Sequence, residues 1–349
     1  MLHVLAPTQQ TTSSLILQLA RVSIRQSHQF EHWVVVLGSE QDARYCKSIG
    51  LPVLGSIGGP RDQSRTLQTR LTRYLSECFT SEKKIMAWGF DAMLATNRCS
   101  ENFDVSAFVD EVDLSRRSCG MQTCIPTSPC GAAALRTLGF KKHQIAESVF
   151  GIEPCPLVVD AITVRDSLRV QNGEFVVSIV GDFGDWKELL SMAVRLQSAN
   201  INVAFVLPHT FVSRVPLLKS ARSHGIADMF IQLPSTLRQI DVLHAADCAW
   251  CPATSRSDRS CGVLAVLEAA SVQTPLAVQC NHPVSSIPSI GSQIAWAENA
   301  LEVAGWMLEI NSVPKNECER SSARVSAVRT LTTPSRFVEN LFLRTAVIA

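Results

Sequence analysis

A polar loop that leads into an apolar helix with one carboxylate is the stretch whose residue types best suit chemistry. Residues 251 to 278 read CPATSRSDRSCGVLAVLEAASVQTPLAV. The unpaired amides and the dipole at a helix start attract anions, and loop arginines such as Arg256 and Arg259 add charge-assisted contacts. We therefore predict that this loop binds a phosphate or diphosphate. Its predicted contact residues are Arg259, Ser260, Cys261 and Gly262.

The carboxylate is Glu268, within a helix predicted over 261–272 whose neighbouring residues are small or aliphatic. An unpaired carboxylate is expensive to bury, so a glutamate in such a helix should have a polar partner. We predict that Glu268 faces a bound ligand. Two alternatives stay open: Glu268 lies on an exposed edge of the helix, or Ser257 or Asp258 merely caps the helix and the arginines are solvated.

Lys187 is a second candidate phosphate ligand, because it opens the helix that follows SIVGDFGDW. A lysine supplies a compact positive charge that suits phosphate. The alternative is a surface lysine paired with Asp182 or Asp185, since surface ion pairs form readily and mean little. Gly181 ends the preceding strand and is expected to line the same site.

Three more basic residues follow predicted strands. His209 comes after NVAFVLP and is a candidate site residue, although a lone histidine often only satisfies local hydrogen bonds. Arg116 and Arg117 follow the acidic stretch DEVD. We predict that both arginines face the site from the first half of the chain, with a surface ion pair to the acidic stretch as the alternative.

Composition limits the classes of protein that this chain can represent. Its 349 residues are 46% apolar, enough for two domains with separate cores. The net charge of +1 gives no global field toward nucleic acid or an anionic membrane. The apolar runs are shorter than the roughly 20 residues of a membrane-spanning helix, and MLHVLAP does not read as a secretory signal. We expect a cytoplasmic protein with at most peripheral membrane contact.

The twelve cysteines are expected to be free thiols in a reduced compartment. Cys248 and Cys251 lie in a predicted strand, where side chains three apart point to opposite faces and cannot chelate one ion. Cys119, Cys124 and Cys130 lack the paired spacing of a zinc site. No metal site is predicted.

A short apolar strand, a turn and an amphipathic helix repeat along most of the chain. Strands are predicted at LHVLAP, HWVVVLG, KIMAWG, VSAFVD, EFVVSIVG, NVAFVLP, MFIQLP, CAWCP and PLAVQ. Helices are predicted over 12–26, 187–198, 212–224, 236–245 and 261–272. This alternation is typical of α/β proteins with parallel sheets covered by helices.

Two doubly wound, Rossmann-like domains in tandem are therefore predicted. The polar stretch RDSLRVQNGEF is the predicted link, which gives an N-terminal domain over 1–170 and a C-terminal domain over 171–332. Apolar residues at helical spacing predict that a helix over 333–349 packs back on the first domain. Ligands bind at the carboxyl ends of strands in such sheets, so we expect the two parallel sheets to face each other across a ligand-binding cleft.

The second half resembles the nucleotide-sugar-binding half of GT-B glycosyltransferases, in particular the large retaining family 4. SIVGDFGDWKELL has the family's strand glycine followed by a lysine, and DVLHAADCAWCPA is similar to the stretch before the donor loop. SCGVLAVLEAASVQTPLAV is similar to the helix of the family's E-x7-E motif, and TPSRFVENLFLRT to its C-terminal crossing helix. SPCGAAALRTLGFKKHQIAESVFGIEP has a weaker similarity to the segment before the domain link. The resemblance implies the GT-B fold.

Several positions depart from the family pattern. Glu268 matches the second glutamate, which accepts hydrogen bonds from the nucleotide ribose, whereas Ser260 stands in place of the first, which contacts the donor sugar. Asp182 replaces a phosphate-binding arginine, and its charge would repel a diphosphate. Asp110 and Glu111 stand where the family often has a histidine that touches the donor sugar.

The resemblance implies a hexosyltransferase-type enzyme that moves a sugar from a nucleoside diphosphate donor to a glycan, lipid or small-molecule acceptor, with retention. It implies no metal or other cofactor, because the donor phosphate can help to deprotonate the acceptor. No nucleic-acid partner is expected. The departures favour one alternative, a pseudo-glycosyltransferase that acts as a nucleotide-binding or partner subunit. A nucleotide-sugar epimerase of the same fold is a weaker rival, because the sequence has no clear set of acid–base groups for it.

Overall fold

The chain folds into two compact units, each of which contains one large parallel sheet. The computed structural model describes residues 1–6, 11–27, 31–58, 65–78, 84–115, 122–152, 158–181, 186–209, 211, 214–252, 259–260, 263–287, 290, 294–312 and 315–346. The first unit comprises Met1–Glu153, Ser257–Leu264 and Thr332–Ala349. The second unit comprises Pro154–Arg256 and Ala265–Leu331.

The first unit alternates strands and helices from its first residues. Its elements up to residue 137 are β1 (Leu2–Leu5), α1 (Thr11–Gln26), β2 (Trp33–Val36), α2 (Glu40–Ser48), β3 (Val53–Ser56), α3 (Arg65–Cys78), β4 (Lys84–Trp88), α4 (Phe90–Ala95), β5 (Asp104–Val109), β6 (Val112–Asp113), β7 (Thr123–Pro126) and α5 (Pro129–Thr137). The start of α5 follows local chemistry: the Ser128 hydroxyl accepts a hydrogen bond from the Gly131 amide, and Pro129 occupies the first turn.

The large sheet of the first unit has the strand order β3-β2-β1-β4-β5-β7. Neighbouring strands are parallel, as in the pairing of Val4 with Val35 on one side and with Ala87 on the other. Central strands such as β1 are buried along their whole length, which explains why they read as predominantly apolar stretches. The carboxyl ends of β5 and β7 lie side by side because Val109 pairs with Pro126.

The second unit repeats this architecture. Its elements in chain order, with β12 included although that strand belongs to the first unit, are α6 (Ala161–Leu168), β8 (Phe175–Ile179), α7 (Trp186–Ser198), β9 (Val203–Leu207), α8 (Arg214–Ser223), β10 (Phe230–Gln232), α9 (Gln239–Ala245), β11 (Cys248–Cys251), β12 (Arg259–Ser260), α10 (Leu264–Ala270), β13 (Leu276–Gln279), β14 (Ala295–Ala297), α11 (Ala300–Ser312) and α12 (Lys315–Leu331). The sheet order is β10-β9-β8-β11-β13-β14, and all of its pairs are parallel.

Two late segments of the chain complete the first unit. Strand β12 pairs antiparallel with β6, with Arg259 opposite Asp113 and Ser260 opposite Val112. The last helix, α13 (Pro334–Ala346), packs against α1. Phe337 of α13 is 1% exposed, and its ring meets that of Phe108 edge-on at a centroid distance of 5.5 Å.

The parallel α/β architecture predicted from the alternation is confirmed, and all nine predicted strand stretches contain strands. The units divide between residues 153 and 154, earlier than the predicted boundary at 170/171. The physical reason is α6, which the predicted link at 165–175 overlaps. Val164 and Leu168 on α6 are buried and join the core cluster of the second unit that includes Val176 and Val242.

Candidate functional site

In doubly wound sheets, ligands bind at the edge formed by the carboxyl ends of the strands. The second sheet has such an edge. Strand order reverses between β8 and β11, because β8 continues through β9 to β10 on one side and β11 through β13 to β14 on the other. The crevice outside the carboxyl ends of the strands at such a reversal is the usual ligand site. Helix α9 follows β10 and carries Asp241, and α10 follows β11 and β12 and carries Glu268.

Glu268 lies on α10 and is 9% exposed. Burial raises the pKa of this carboxyl from 4.5 to about 7, while the positive charge of Arg238 lowers it and the negative charge of Asp241 raises it. This burial excludes the alternative that Glu268 lies on an exposed edge of the helix. A carboxyl that titrates near neutral pH is a common property of functional sites.

Arg238 and Asp241 form a bidentate ion pair at the start of α9. The Arg238 Nε donates to Asp241 Oδ2 at 2.7 Å and Nη2 donates to Oδ1 at 2.7 Å. The Asp241 side chain is 1% exposed, whereas that of Arg238 is 38% exposed. Although burial acts to raise it, the pKa of Asp241 is lowered by the Arg238 hydrogen bonds and by the amides of Val158 and Val159. The pair therefore has a fixed, buried anion and a partly exposed cation.

Gln239 attaches the start of α9 to the carboxyl end of β8. Its amide nitrogen donates to the Ser178 hydroxyl at 2.8 Å and approaches the Ile179 carbonyl at 3.4 Å. Gln239 is 8% exposed, and among the residues that the structure describes its buried Oε1 atom has no hydrogen-bond partner. Buried polar atoms are nearly always paired, so this atom is a candidate acceptor for a donor group.

The backbone turns sharply after β8. Gly181 has φ +86°, a conformation that residues with a Cβ rarely adopt, and no atom of the described residues other than its chain neighbours lies within 4 Å of where its Cβ would be. Lys187, on the first turn of α7, and His209, after β9, are both exposed. Both residues therefore follow strands of this sheet and are exposed, and their role at a ligand site stays a prediction.

A second polar cluster lies in the first unit, at the carboxyl edge formed by β5 and β7. Asp110 follows β5 and is 1% exposed. Its Oδ1 accepts hydrogen bonds from the Thr127 hydroxyl at 2.6 Å and from the Val263 amide at 3.0 Å. Burial raises the pKa of Asp110 from 3.8 to about 6, although Thr127 and the amides of Val263 and Leu264 lower it. Asp110 Oδ2 is buried and has no hydrogen-bond partner within the described parts of the chain.

The hydrogen bonds of Asp110 bear on the prediction that the loop before α10 binds a phosphate. The amides of Val263 and Leu264, at the start of the helix, already donate to a carboxylate. An anion bound at these two amides would have to compete with Asp110. The other end of α10 is held by Arg324, which is fully buried and donates to the carbonyls of Ala270 and Val272.

The structure describes the remaining predicted site residues only in part. Arg259 and Ser260 form β12, of whose side chains nothing is described. Cys261 and Gly262 lie outside the described residues, as do Arg116 and Arg117 and the departure at 182–185.

Arg238, Gln239, Asp241 and Thr127 are polar residues of these clusters that the sequence analysis did not single out. Asp241 could have been singled out from the sequence, because it is an acid in the mostly apolar stretch IDVLHAA. The pairing of Arg238 with Asp241 is spaced like an ordinary helical surface pair. Gln239 gave no signal, since its role depends on its contact with a strand about sixty residues earlier.

The described part of the chain contains no group of three or more His, Cys, Asp or Glu side chains arranged to hold a metal ion. All eight cysteines whose side chains are described are free thiols. Within the same residues, no helix combines the length and the apolar character needed to cross a membrane.

Comparison with solved structures identifies the fold. HepE of Anabaena, solved in complex with UDP and glucose, is similar with a TM-score of 0.75 and 12% identity over 99% of this chain and 100% of its own. A glycosyltransferase from Rickettsia africae has a TM-score of 0.69 and 9% identity over 99% of this chain and 97% of its own. A UDP-N-acetylglucosamine 2-epimerase has a TM-score of 0.59 and 12% identity over 99% and 96%.

This chain therefore has the GT-B fold of glycosyltransferases, as the sequence resemblance implied. Identities of 9 to 12% describe a divergent sequence. No family model matches the chain, and no curated protein matches it.

Proposed function

We propose that this protein is a glycosyltransferase that takes a sugar from a nucleoside diphosphate donor and transfers it, with retention, to a glycan, lipid or small-molecule acceptor. The observation that carries the proposal is Glu268, a buried carboxyl with a raised pKa on the helix that follows β11 in a GT-B fold. HepE, which shares the fold, was solved with UDP.

In this proposal Glu268 accepts hydrogen bonds from the donor ribose. Such bonds to a carboxylate offset the cost of its burial, which explains why an acid is tolerated on an otherwise apolar helix. Lys187 and the segment 259–262 contact the phosphates. The protein's contribution to the reaction is positional and electrostatic, and no metal or other cofactor takes part.

Calorimetric titration with UDP tests the assignment. We expect wild-type protein to bind UDP, and Glu268→Gln to weaken binding by about 1.5 to 3 kcal/mol, the range for a hydrogen bond to a charged group. Glu309→Gln, on an exposed position of α11, is the matched control and should bind like wild type. If wild type binds neither UDP nor any other nucleoside diphosphate at millimolar concentration, the donor-site proposal is wrong.

Asp110 favours a second candidate, a pseudo-glycosyltransferase that binds nucleotide without transferring sugar. This buried acid occupies the amides at the start of α10, and Ser260 stands in place of the family's sugar-contacting glutamate. A donor-hydrolysis assay with UDP-glucose separates the two candidates. Turnover supports the enzyme, whereas binding without turnover supports the pseudo-enzyme. Ser260→Glu should leave UDP affinity nearly unchanged and improve transfer if the enzyme is active.

A further inference from the structure

We propose that the outer faces of α7, α8 and α11 form the interface at which two copies of this chain make a symmetric dimer. The inference does not rest on the proposed function, because it concerns charges on α8 and α11 that take no part in the donor site. It is carried by the opposite charges of these two helices and by the matching positions of their exposed residues.

The three helices form one layer on one face of the second sheet. Helices α7 and α8 connect the successive parallel strands β8, β9 and β10, and such crossovers are right-handed, so both helices cover the same face. Leu189 of α7, Leu217 of α8 and Val303 of α11 belong to one core cluster. Helix α7 packs against both α8 and α11 and therefore lies between them. Each of the three follows the carboxyl end of a strand, so they run in the same direction.

The two outer helices of this layer carry opposite charges. Helix α8 has Arg214, Lys219 and Arg222 and no acid, whereas α11 has Glu302 and Glu309 and no lysine or arginine. All five residues are exposed. Neither Arg222 nor Glu309 forms an ion pair with a described residue of its own chain. The face of α8 is therefore complementary in charge to the face of α11 on a second copy.

Each outer helix also exposes one large apolar residue. Val215 on α8 is 77% exposed and Leu301 on α11 is 50% exposed, and each is the second residue of its helix. Gly305, the sixth residue of α11, has no described atom within 4 Å of where its Cβ would be. A glycine costs stability inside a helix but lets another surface approach the backbone closely. Lys219, the sixth residue of α8, is the side chain that the same register places there.

A two-fold axis parallel to α7 brings these features together. It places α8 of one copy on α11 of the partner and repeats the same contact on the other side, as in an isologous dimer. Val215 then meets the partner's Leu301. At 1.5 Å per residue, Arg222 lies about 10.5 Å further along α8 and Glu309 about 12 Å further along α11. The apolar contact and the ion pair therefore form in one register.

The size of the layer sets the expected strength. Three helices of about 15 to 20 Å, packed about 10 Å apart, offer an area of roughly 500 to 600 Å² per copy. The total of about 1,000 to 1,200 Å² lies at the lower end of specific interfaces. At its centre α7 exposes Ser191 and Ser198, seven residues apart on one side of the helix, and Arg195 nearby. We therefore expect a reversible dimer that dissociates on dilution.

Charge reversal tests the pairing directly. Analytical ultracentrifugation compares wild type, Arg222→Glu and Glu309→Arg over about 1 to 100 μM, with Lys47→Glu on the exposed side of α2 as the matched control. Glu309 is preferred to Glu302, whose carboxylate already accepts a hydrogen bond from the Glu298 amide. Each reversal replaces two attractions by two repulsions and should weaken dimerisation at least about tenfold, while Lys47→Glu should dimerise like wild type.

An equimolar mixture of Arg222→Glu and Glu309→Arg is the decisive sample. In a mixed dimer one contact joins the new glutamate to the new arginine and the other joins the original pair, so both contacts are attractive. The mixture should therefore dimerise about as well as wild type, although neither variant does so alone. A general effect of either change on folding or solubility would not be cured by mixing.

Several results would overturn the inference. A monomeric wild type over the whole range does so, as does a mixture that remains monomeric. Assembly beyond the dimer contradicts the two-fold arrangement. A wild type that stays monomeric but sediments with vesicles containing phosphatidylglycerol, while Arg222→Glu does not, assigns α8 to a membrane surface instead. If a reversal variant unfolds by circular dichroism, Gly305→Gln decides, because it fills the contact without changing charge: undiminished dimerisation contradicts the interface.

Discussion

The Oδ1 atom of Asp110 lies 3.0 Å from the backbone nitrogen of Val263, a residue 153 positions later in the chain. A carboxylate from the end of β5 thus caps the start of α10, the helix that carries Glu268. Helix starts attract anions, and here the protein supplies the anion itself. The cap fixes where α10 begins.

Replacing Asp110 tests this cap. Asp110→Ala leaves the Thr127 hydroxyl and the Val263 and Leu264 amides without their acceptor, and should reduce the free energy of unfolding by about 2 to 3 kcal/mol. Asp110→Asn keeps an acceptor oxygen and should cost less. Urea unfolding monitored by circular dichroism measures both, and equal stability of the two variants would contradict the cap.

Glu268 should make stability depend on pH. Burial raises the pKa of the Glu268 carboxyl from its ordinary value of 4.5 to about 7, so between these values the folded state holds a proton that the unfolded state has released. Unfolding free energy therefore falls as pH rises from about 4.5 to about 7, by on the order of 3 kcal/mol for this group. Glu268→Gln should lack this loss and be more stable than wild type at pH 8. Urea unfolding at pH 4.5 and pH 8 checks it, and an identical pH dependence in both proteins would exclude this role.

Arg324 should contribute strongly to the stability of the second unit. Its guanidinium is buried and donates to the carbonyls of Ala270, Val272 and Thr274. Arg324→Leu leaves these acceptors without that donor and should destabilise the protein by about 3 to 5 kcal/mol. Arg329→Leu, on the exposed side of the same helix, should change stability by less than about 0.5 kcal/mol. A similar, small effect of both changes in thermal unfolding would refute the assignment.

Two glycines should respond oppositely to alanine. A Cβ on Gly151 would lie 2.7 Å from the Cβ of Phe337, so Gly151→Ala must displace α13 and should cost about 1 to 3 kcal/mol. Gly305 lies within α11, and its Cβ would meet nothing within 4 Å. Gly305→Ala should stabilise the protein by about 0.5 to 1 kcal/mol through helix propensity. Differential scanning calorimetry of the two variants gives the signs, and a destabilised Gly305→Ala would contradict the packing.

The sequence predicts a strand well where the strand can be recognised from its own residues alone. FVVSI and VAFVL are buried on both faces and read as apolar runs without any knowledge of their neighbours. The stretch VLGS was not predicted as β3, because it is only partly buried, contains a glycine and pairs through a register shift. The stretch TCIP was not predicted as β7, because it is only four residues long and its proline is untypical of a strand.

The site is less predictable, because its contacts join residues that are far apart in the chain. Glu268 could be selected from its apolar surroundings alone. The cap by Asp110, the support of α9 by Gln239 and the burial of Asp241 beneath the Val158 amide each depend on packing that no local pattern encodes. The sequence indicates that Glu268 needs a polar partner, but it does not indicate which residue is that partner.

The first unit is built from three separate segments of the chain, and this determines when it can finish folding during synthesis. Domains generally fold as they leave the ribosome, with the N-terminal domain first. Here the N-terminal unit requires Ser257–Leu264 and Thr332–Ala349, so its β6–β12 pairing forms only after residue 260 has been made, and its contacts with α13 only after residues 334–346. The second unit needs nothing beyond residue 331 and is completed earlier. The unit that is synthesised first is therefore the last to be finished, and until α13 is made the ring of Phe108 lacks its contact with Phe337.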